Sequence, residues 1–142
     1  MPIRFYVDAD LLGLAKVLVT VRSDVTYPGD PGGPGPDGYQ RPACPVQPDA
    51  KDPTWIPTVA MEGWVTITRD RHLQHRPAER QAIIDHGARV VRLDARHELN
   101  KWAQLEIVVS QWRRIEERLD LPGPWLVVVT RTGVRAQELV PA

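Results

Sequence analysis

Short apolar runs alternate with stretches of helical spacing along this chain, and both kinds of segment end on polar punctuation. Arg4 to Val7 reads as a short buried strand. Leu11 to about Val21 follows as a helix, with Leu11, Leu14, Ala15 and Leu18 on one face and Asp10 placed to cap it. Asp24 to Tyr27 predicts a second short strand. The next helix starts at Asp52-Pro53, a cap followed by proline in the first turn, and ends at Gly63. Pro57 falls in its first turn or kinks it. Trp64 to Thr68 is the third strand of this series. Arg76 to His86 is helical from Pro77, with Ala78, Ala82 and Ile83 inward and Gly87 at its end. Ala88 to Leu93 is another strand. The longest helix runs from Asn100 to about Leu119, with Trp102, Leu105, Val108 or Val109, Trp112, Ile115 and Leu119 on its apolar stripe. Trp125 to Thr130 and Val134 to Leu139, joined at Thr132-Gly133, form a terminal hairpin.

Strand and helix alternating in this way predict an α/β fold, a mainly parallel sheet with helices on both faces. One stretch breaks the pattern. Pro28 to Pro48 is too dense in proline and glycine to hold a helix or an interior strand, and it reads as a mobile insertion at about 28–50. With 142 residues the expectation is one domain, 1–142, carrying that insertion.

Composition narrows the function without naming it. Lysine plus arginine equals aspartate plus glutamate, 18 each, so any nucleic-acid binding has to come from a local patch. The lone thiol, Cys44, rules out an internal disulfide and sits in the Pro/Gly stretch with no strand–helix context for a nucleophile. No secretory leader or membrane-spanning run is expected, which makes the cytoplasm the default setting.

The candidate chemistry lies where strands stop. The first strand ends on Asp8 and Asp10; the Trp64–Thr68 strand ends on Asp70; and Asp52 starts a helix that opens on the same sheet edge. Ligands of such sheets bind beyond the carboxyl ends of the strands. Two like charges ~4 Å apart repel by about 4 kcal/mol at an effective dielectric near 20, so converging carboxylates need a proton, water or a cation. Hard oxygen ligands without cysteine favour Mg²⁺ or Mn²⁺. Arg69, Arg71, His72 and Arg76 surround Asp70 and suit phosphate oxygens. The bland readings are capping for Asp10 and Asp52, a turn for Asp70 and a solvated face for the arginines. His72 and His75 lack the context of a zinc pair. Trp102 and Trp112 read as core, and Trp55 and Trp64 as packing.

In order along the chain stand Asp8-x-Asp10-Leu11, Asp52-x-x-Trp55, Gly63-Trp64-Val65, Thr68-x-Asp70-Arg71, and Arg76-Pro77-x-Glu79. This series resembles the PIN-like domains, most nearly the short VapC-type bacterial family, over nearly everything but the Pro/Gly stretch. The resemblance implies a three-layer α/β/α sandwich with a central parallel sheet. It implies an endoribonuclease that hydrolyses RNA phosphodiesters at Mg²⁺ or Mn²⁺. Asp8, Asp52 and Asp70 take the catalytic and metal positions, with Asp10 assisting. It further implies single-stranded RNA as substrate, an antitoxin protein as partner and a possible homodimer. The family's four-acid pattern is not complete: no glutamate takes the middle-helix role, Glu62 lying at the wrong end of its segment, and His72 or a basic neighbour stands where the last acid after T-x-D belongs. A catalytically weak or inactive PIN-like interaction module is therefore the alternative. A phosphatase acting through an aspartyl nucleophile is a third reading, weakened because its serine or threonine and lysine positions are not evident.

Overall fold

The computed structural model describes residues 2–50, 54–95 and 99–141. A six-stranded sheet forms its centre. The strands, in chain order, are β1 (Phe5–Val7), β2 (Val25–Thr26), β5 (Val65–Thr68), β6 (Arg89–Leu93), β7 (Trp125–Thr130) and β8 (Gly133–Gln137); β3 (Gly33–Pro34) and β4 (Gln40–Arg41) make a separate two-stranded ribbon. Across the sheet the order is β2-β1-β5-β6-β7-β8, parallel throughout except β8, which runs antiparallel to β7 as a hairpin. The inner strands are nearly continuous apolar runs because both of their faces are covered.

Four helices supply the cover: α1 (Leu12–Val21), α2 (Trp55–Glu62), α3 (Pro77–His86) and α4 (Lys101–Glu117). On one face, Leu14, Ala15 and Leu18 of α1 and Ile107, Val108 and Ile115 of α4 pack on Phe5, Val7, Ile67, Val91 and Val127. On the other, Trp55, Ile56 and Val59 of α2 and Ile83 of α3 pack on Tyr6, Val90, Leu126 and Val128. The result is a three-layer α/β/α sandwich, as the alternating pattern predicts. Pro57 is the third residue of α2, where its missing N–H has no intrahelical acceptor to lose. Gly63 and Gly87 end α2 and α3 at φ 77° and 64°, left-handed geometry that favours glycine.

Several expectations need correction. Asp8, not Asp10, is the cap: its carboxylate accepts from the Ala9 amide at 2.7 Å and opens a 3₁₀ turn, Ala9–Leu11, ahead of α1. Ala78 is exposed, because the inward face of α3 runs through Glu79 and Ile83. Trp102 is 74 % exposed, since the buried stripe of α4 runs through Gln104, Ile107, Val108, Gln111 and Ile115; Val109 is exposed for the same reason. Trp112 is half-buried against Phe5, with ring centroids 4.7 Å apart.

The Pro/Gly stretch, expected to be a mobile insertion, is packed. Asp30 and Arg41 form a buried ion pair, and Arg41 also donates to the Val25 carbonyl at 3.0 Å. Thr26 donates to Asp30, while Gly29 and Cys44 bond back to Val46 and Asp30. Cys44 and Val46 enter the core beneath α2. Apart from the short β3–β4 ribbon, the segment is held by side-chain and turn bonds, which proline does not interrupt.

Candidate active site

The sheet order reverses at β1. The chain leaves β1 for β2 on one side, and later returns to place β5 on the other. Such a reversal opens a crevice at the carboxyl ends of the two strands, because their connections diverge there. β1 delivers Asp8 and Asp10 to this crevice, and β5 delivers Thr68, Arg69 and Asp70.

Thr68 organises the crevice. Its Oγ1 lies 3.0 Å from Asp8 Oδ2 and 3.2 Å from Asp10 Oδ2, and it accepts the Asp70 amide at 3.1 Å. A hydroxyl carries one proton, so it can donate to only one of the two carboxylates at a time. The Arg69 amide reaches Asp10 Oδ2 at 3.3 Å, and Asp10 Oδ1 is buried with no hydrogen-bond partner among the described residues. Two carboxylates in reach of one oxygen atom repel by about 3 kcal/mol at ~5 Å and an effective dielectric near 20. Burial first, and then the Asp8 charge, push the Asp10 carboxyl up to about 7, against the pull of the Arg69 amide and Thr68. Burial likewise raises Asp8, with Asp70 adding to it, against the bonds from Ala9 and Thr68. The pair is held ready for positive charge, whether a proton or a cation.

Asp70 is placed differently. Arg76 grips it with two nitrogens, at 2.7 and 3.4 Å, and the His72 amide donates to it at 2.9 Å. Arg76 also lies 3.5 Å from Glu79, which is buried at the start of α3. Arg69 is exposed and donates to the Leu99 carbonyl; Arg71 donates to the Ala95 carbonyl and pairs with Asp94 at 3.3 Å. His72 and His75 are exposed. Asp52, expected as a metal ligand, lies outside the described residues. Among the described residues no three histidine, cysteine, aspartate or glutamate side chains cluster closely enough to hold a metal ion. Cys44 is buried and its thiol is shifted upward by that burial, opposite to what a nucleophilic thiolate needs.

Sequence reasoning missed two residues at this edge. Asp94 ends β6 as Asp70 follows β5, and an aspartate closing the Ala88–Leu93 run was there to be read. Arg92 is buried within β6, and nothing in its apolar surroundings distinguishes it from a surface-facing strand residue.

The under-neutralised carboxylate pair stands at the switch point of a doubly wound α/β/α sandwich, the place where such sheets bind their ligands. Residues 4–95 match the family model described as PIN like domain, and the chain belongs to that family. PIN-like domains form a nuclease-type superfamily, generally dependent on divalent metal and generally binding nucleic acid. No curated protein and no solved structure matches the chain. No helix among the described residues is long and apolar enough to cross a membrane.

Proposed function

We propose that this protein is a metal-dependent endoribonuclease of the VapC toxin type, acting on single-stranded RNA in the cytoplasm and paired with an antitoxin protein. The observation that carries the reading is the Asp8–Thr68–Asp10 arrangement, two carboxylates sharing one donor beside the partnerless Asp10 Oδ1. Hard carboxylate oxygens with raised proton affinity fit Mg²⁺ or Mn²⁺. Asp8 and Asp10 would be the first ligands, since they share the Thr68 hydroxyl, with Asp70 and Asp52 joining them by their places in the sequence pattern. When bound, the ion supplies Lewis-acid activation of water and of the phosphodiester. The chain's own residues do the rest. Thr68 and the Arg69 amide fix the carboxylate oxygens, and the Asp8 cap stops its side chain from rotating out of the crevice. Arg69, Arg71, His72 and Arg76 rim the acids and orient the RNA backbone.

One observation favours the second reading, a catalytically inactive PIN-like interaction module: the described residues contain no three-ligand cluster. A Mn²⁺ titration by calorimetry on the wild type, Asp8→Asn and Asp10→Asn decides between them. Binding that vanishes in both variants, together with Mn²⁺-dependent cleavage of labelled single-stranded RNA, is the expected outcome. Binding indifferent to both changes sinks the nuclease reading in favour of the module.

A further inference from the structure

Next to the acids, on the β6–β8 side, lies a cavity of about 590 Å³ lined by Arg71, Arg92, Asp94, Ala95, Thr130 and Arg135. Strand register explains why its basic groups converge. Thr68 pairs with Arg92, Arg92 with Val128, and Val128 with Arg135, a row straight across four strands. Directly paired residues project to the same face of a sheet, so Arg92 and Arg135 stand on either side of Val128, and the row begins at the threonine that holds Asp8 and Asp10.

Arg92 is the unusual member. It is only 6 % exposed, and its Nε has no hydrogen-bond partner. The nearby carboxylate is already engaged: Asp94 pairs with Arg71 at 3.3 Å. Three guanidinium groups thus face one carboxylate. Burial lowers the proton affinity of Arg92, and Arg135 and Arg71 lower it further, while Asp94 and Asp70 oppose them. A buried guanidinium with its Nε–H unsatisfied is costly unless a ligand completes it. Anions with several coplanar oxygen pairs match the guanidinium fork. The volume has room for a nucleotide and not only for its phosphate.

We infer that this cavity is a phosphate-binding subsite, in which Arg92 is the buried anchor and Arg71 and Arg135 are the walls, and that it holds a phosphoryl group of the RNA away from the one that is cut. The inference rests on the nuclease reading for its ligand but not for its anion chemistry. Arg71 joins the two sites, since it lines the cavity and directly follows Asp70 in the chain. The phosphoryl group is either an internal phosphodiester or a terminal monophosphate.

The test is fluorescence anisotropy in EDTA with a labelled eight-nucleotide RNA, in 5′-phosphate and 5′-hydroxyl forms, against wild type, Arg92→Gln and Arg135→Gln. EDTA removes cleavage, so binding alone is read. Arg92→Gln should weaken binding roughly 10-fold and Arg135→Gln ~3- to 10-fold, each lowering the salt slope by about 0.7. A loss confined to the 5′-phosphate form assigns a terminal phosphate; an equal loss in both forms assigns an internal one. If Arg92→Gln fails to fold by circular dichroism, the exposed Arg135 variant carries the test alone. Wild-type affinity in the folded variants overturns the subsite and leaves the nuclease reading standing. If the wild type binds neither RNA, the nuclease reading falls, and calorimetry with inorganic phosphate judges the cavity. Binding lost in Arg135→Gln then keeps the anion site, and no binding removes it as well.

Discussion

The two ends of the central sheet treat their aspartates in opposite ways. At the amino end, Asp24 is fully buried and receives four nitrogens: Arg4 at 2.9 and 2.6 Å, and Arg22 at 2.9 and 2.8 Å. Arg22 in turn lies over the Trp112 ring, 4.5 Å from its centroid. Burial alone would raise the Asp24 carboxyl, but the bonds from Arg22 and Arg4 outweigh it and hold it below the ordinary range. At the carboxyl end, Asp8 and Asp10 share one hydroxyl, and their carboxyls are raised. The residue type is the same and the sheet is the same. What differs is whether the chain itself supplies the countercharge. Where it does, the carboxylate holds β1 to β2; where it does not, a ligand is left to supply it.

The comparison breaks most visibly through stability. Asp24→Asn leaves two guanidinium groups with only the half-exposed Glu116 carboxylate, 3.5 and 3.7 Å away, and should cost about 3 kcal/mol, read as a lower urea midpoint at unchanged slope. Because the folded Asp24 carboxyl is depressed, its contribution is present above the unfolded value and lost as pH falls through the folded one. The variant should therefore lose part of the acid sensitivity of the wild type. A cost under ~1 kcal/mol would show that the amino-end cluster is surface decoration.

Asp10→Asn should do the reverse. A carboxyl lifted from 3.8 to about 7 binds its proton more tightly when folded, so stability falls as pH rises between those values. At ~1.4 kcal/mol per tenfold, the full penalty above pH 7 is at most roughly 4 kcal/mol. Thermal melts in EDTA should find Asp10→Asn more stable than wild type at pH 8 and equal to it at pH 4. A variant less stable at pH 8 would mean that Asp10 is structural. A cation offers the same relief as the mutation: Mn²⁺ at 100-fold over its dissociation constant should stabilise the wild type by about 2.7 kcal/mol, and Asp8→Asn should abolish that gain.

Much of this arrangement was legible in the chain. Val7-Asp8-x-Asp10 and Ile67-Thr68-x-Asp70 place acids just past apolar strands, and a parallel sheet carries such positions to one edge. The roles within the site were not legible. Asp8 and Asp10 are two residues apart and equally able to cap, and only the 3₁₀ turn selects Asp8. Trp102 stands two residues before Gln104, about 200° round the helix, so it faces away from the stripe through Gln104, Ile107, Val108 and Gln111, where two buried glutamines disguise the phase. Arg41, Asp30 and Cys44 lie in a proline- and glycine-rich stretch whose bonds are between side chains distant in sequence, which periodicity does not register.

The smallest stability effect falls on the arginine–aspartate pair at the functional end, and it sharpens the comparison. Arg76 and Asp70 match Arg22 and Asp24 in chemistry, with a closest contact of 2.7 against 2.8 Å. Yet the Arg76 side chain is 45 % exposed and Asp70 19 %, whereas Asp24 is fully buried. An exposed pair of this kind contributes at most about 1 kcal/mol, because water and salt replace the lost partner. Arg76→Gln should therefore leave the urea midpoint nearly unchanged. If its guanidinium turns from Asp70 to the RNA backbone, the same variant should lower the salt slope of single-stranded RNA binding in EDTA by about 0.7, one phosphate contact. Arg22→Gln should show the opposite split, with stability lost and RNA binding intact. Should both arginines move stability alone, the carboxyl end would be as structural as the amino end, and its unpaired oxygen would no longer point to a ligand.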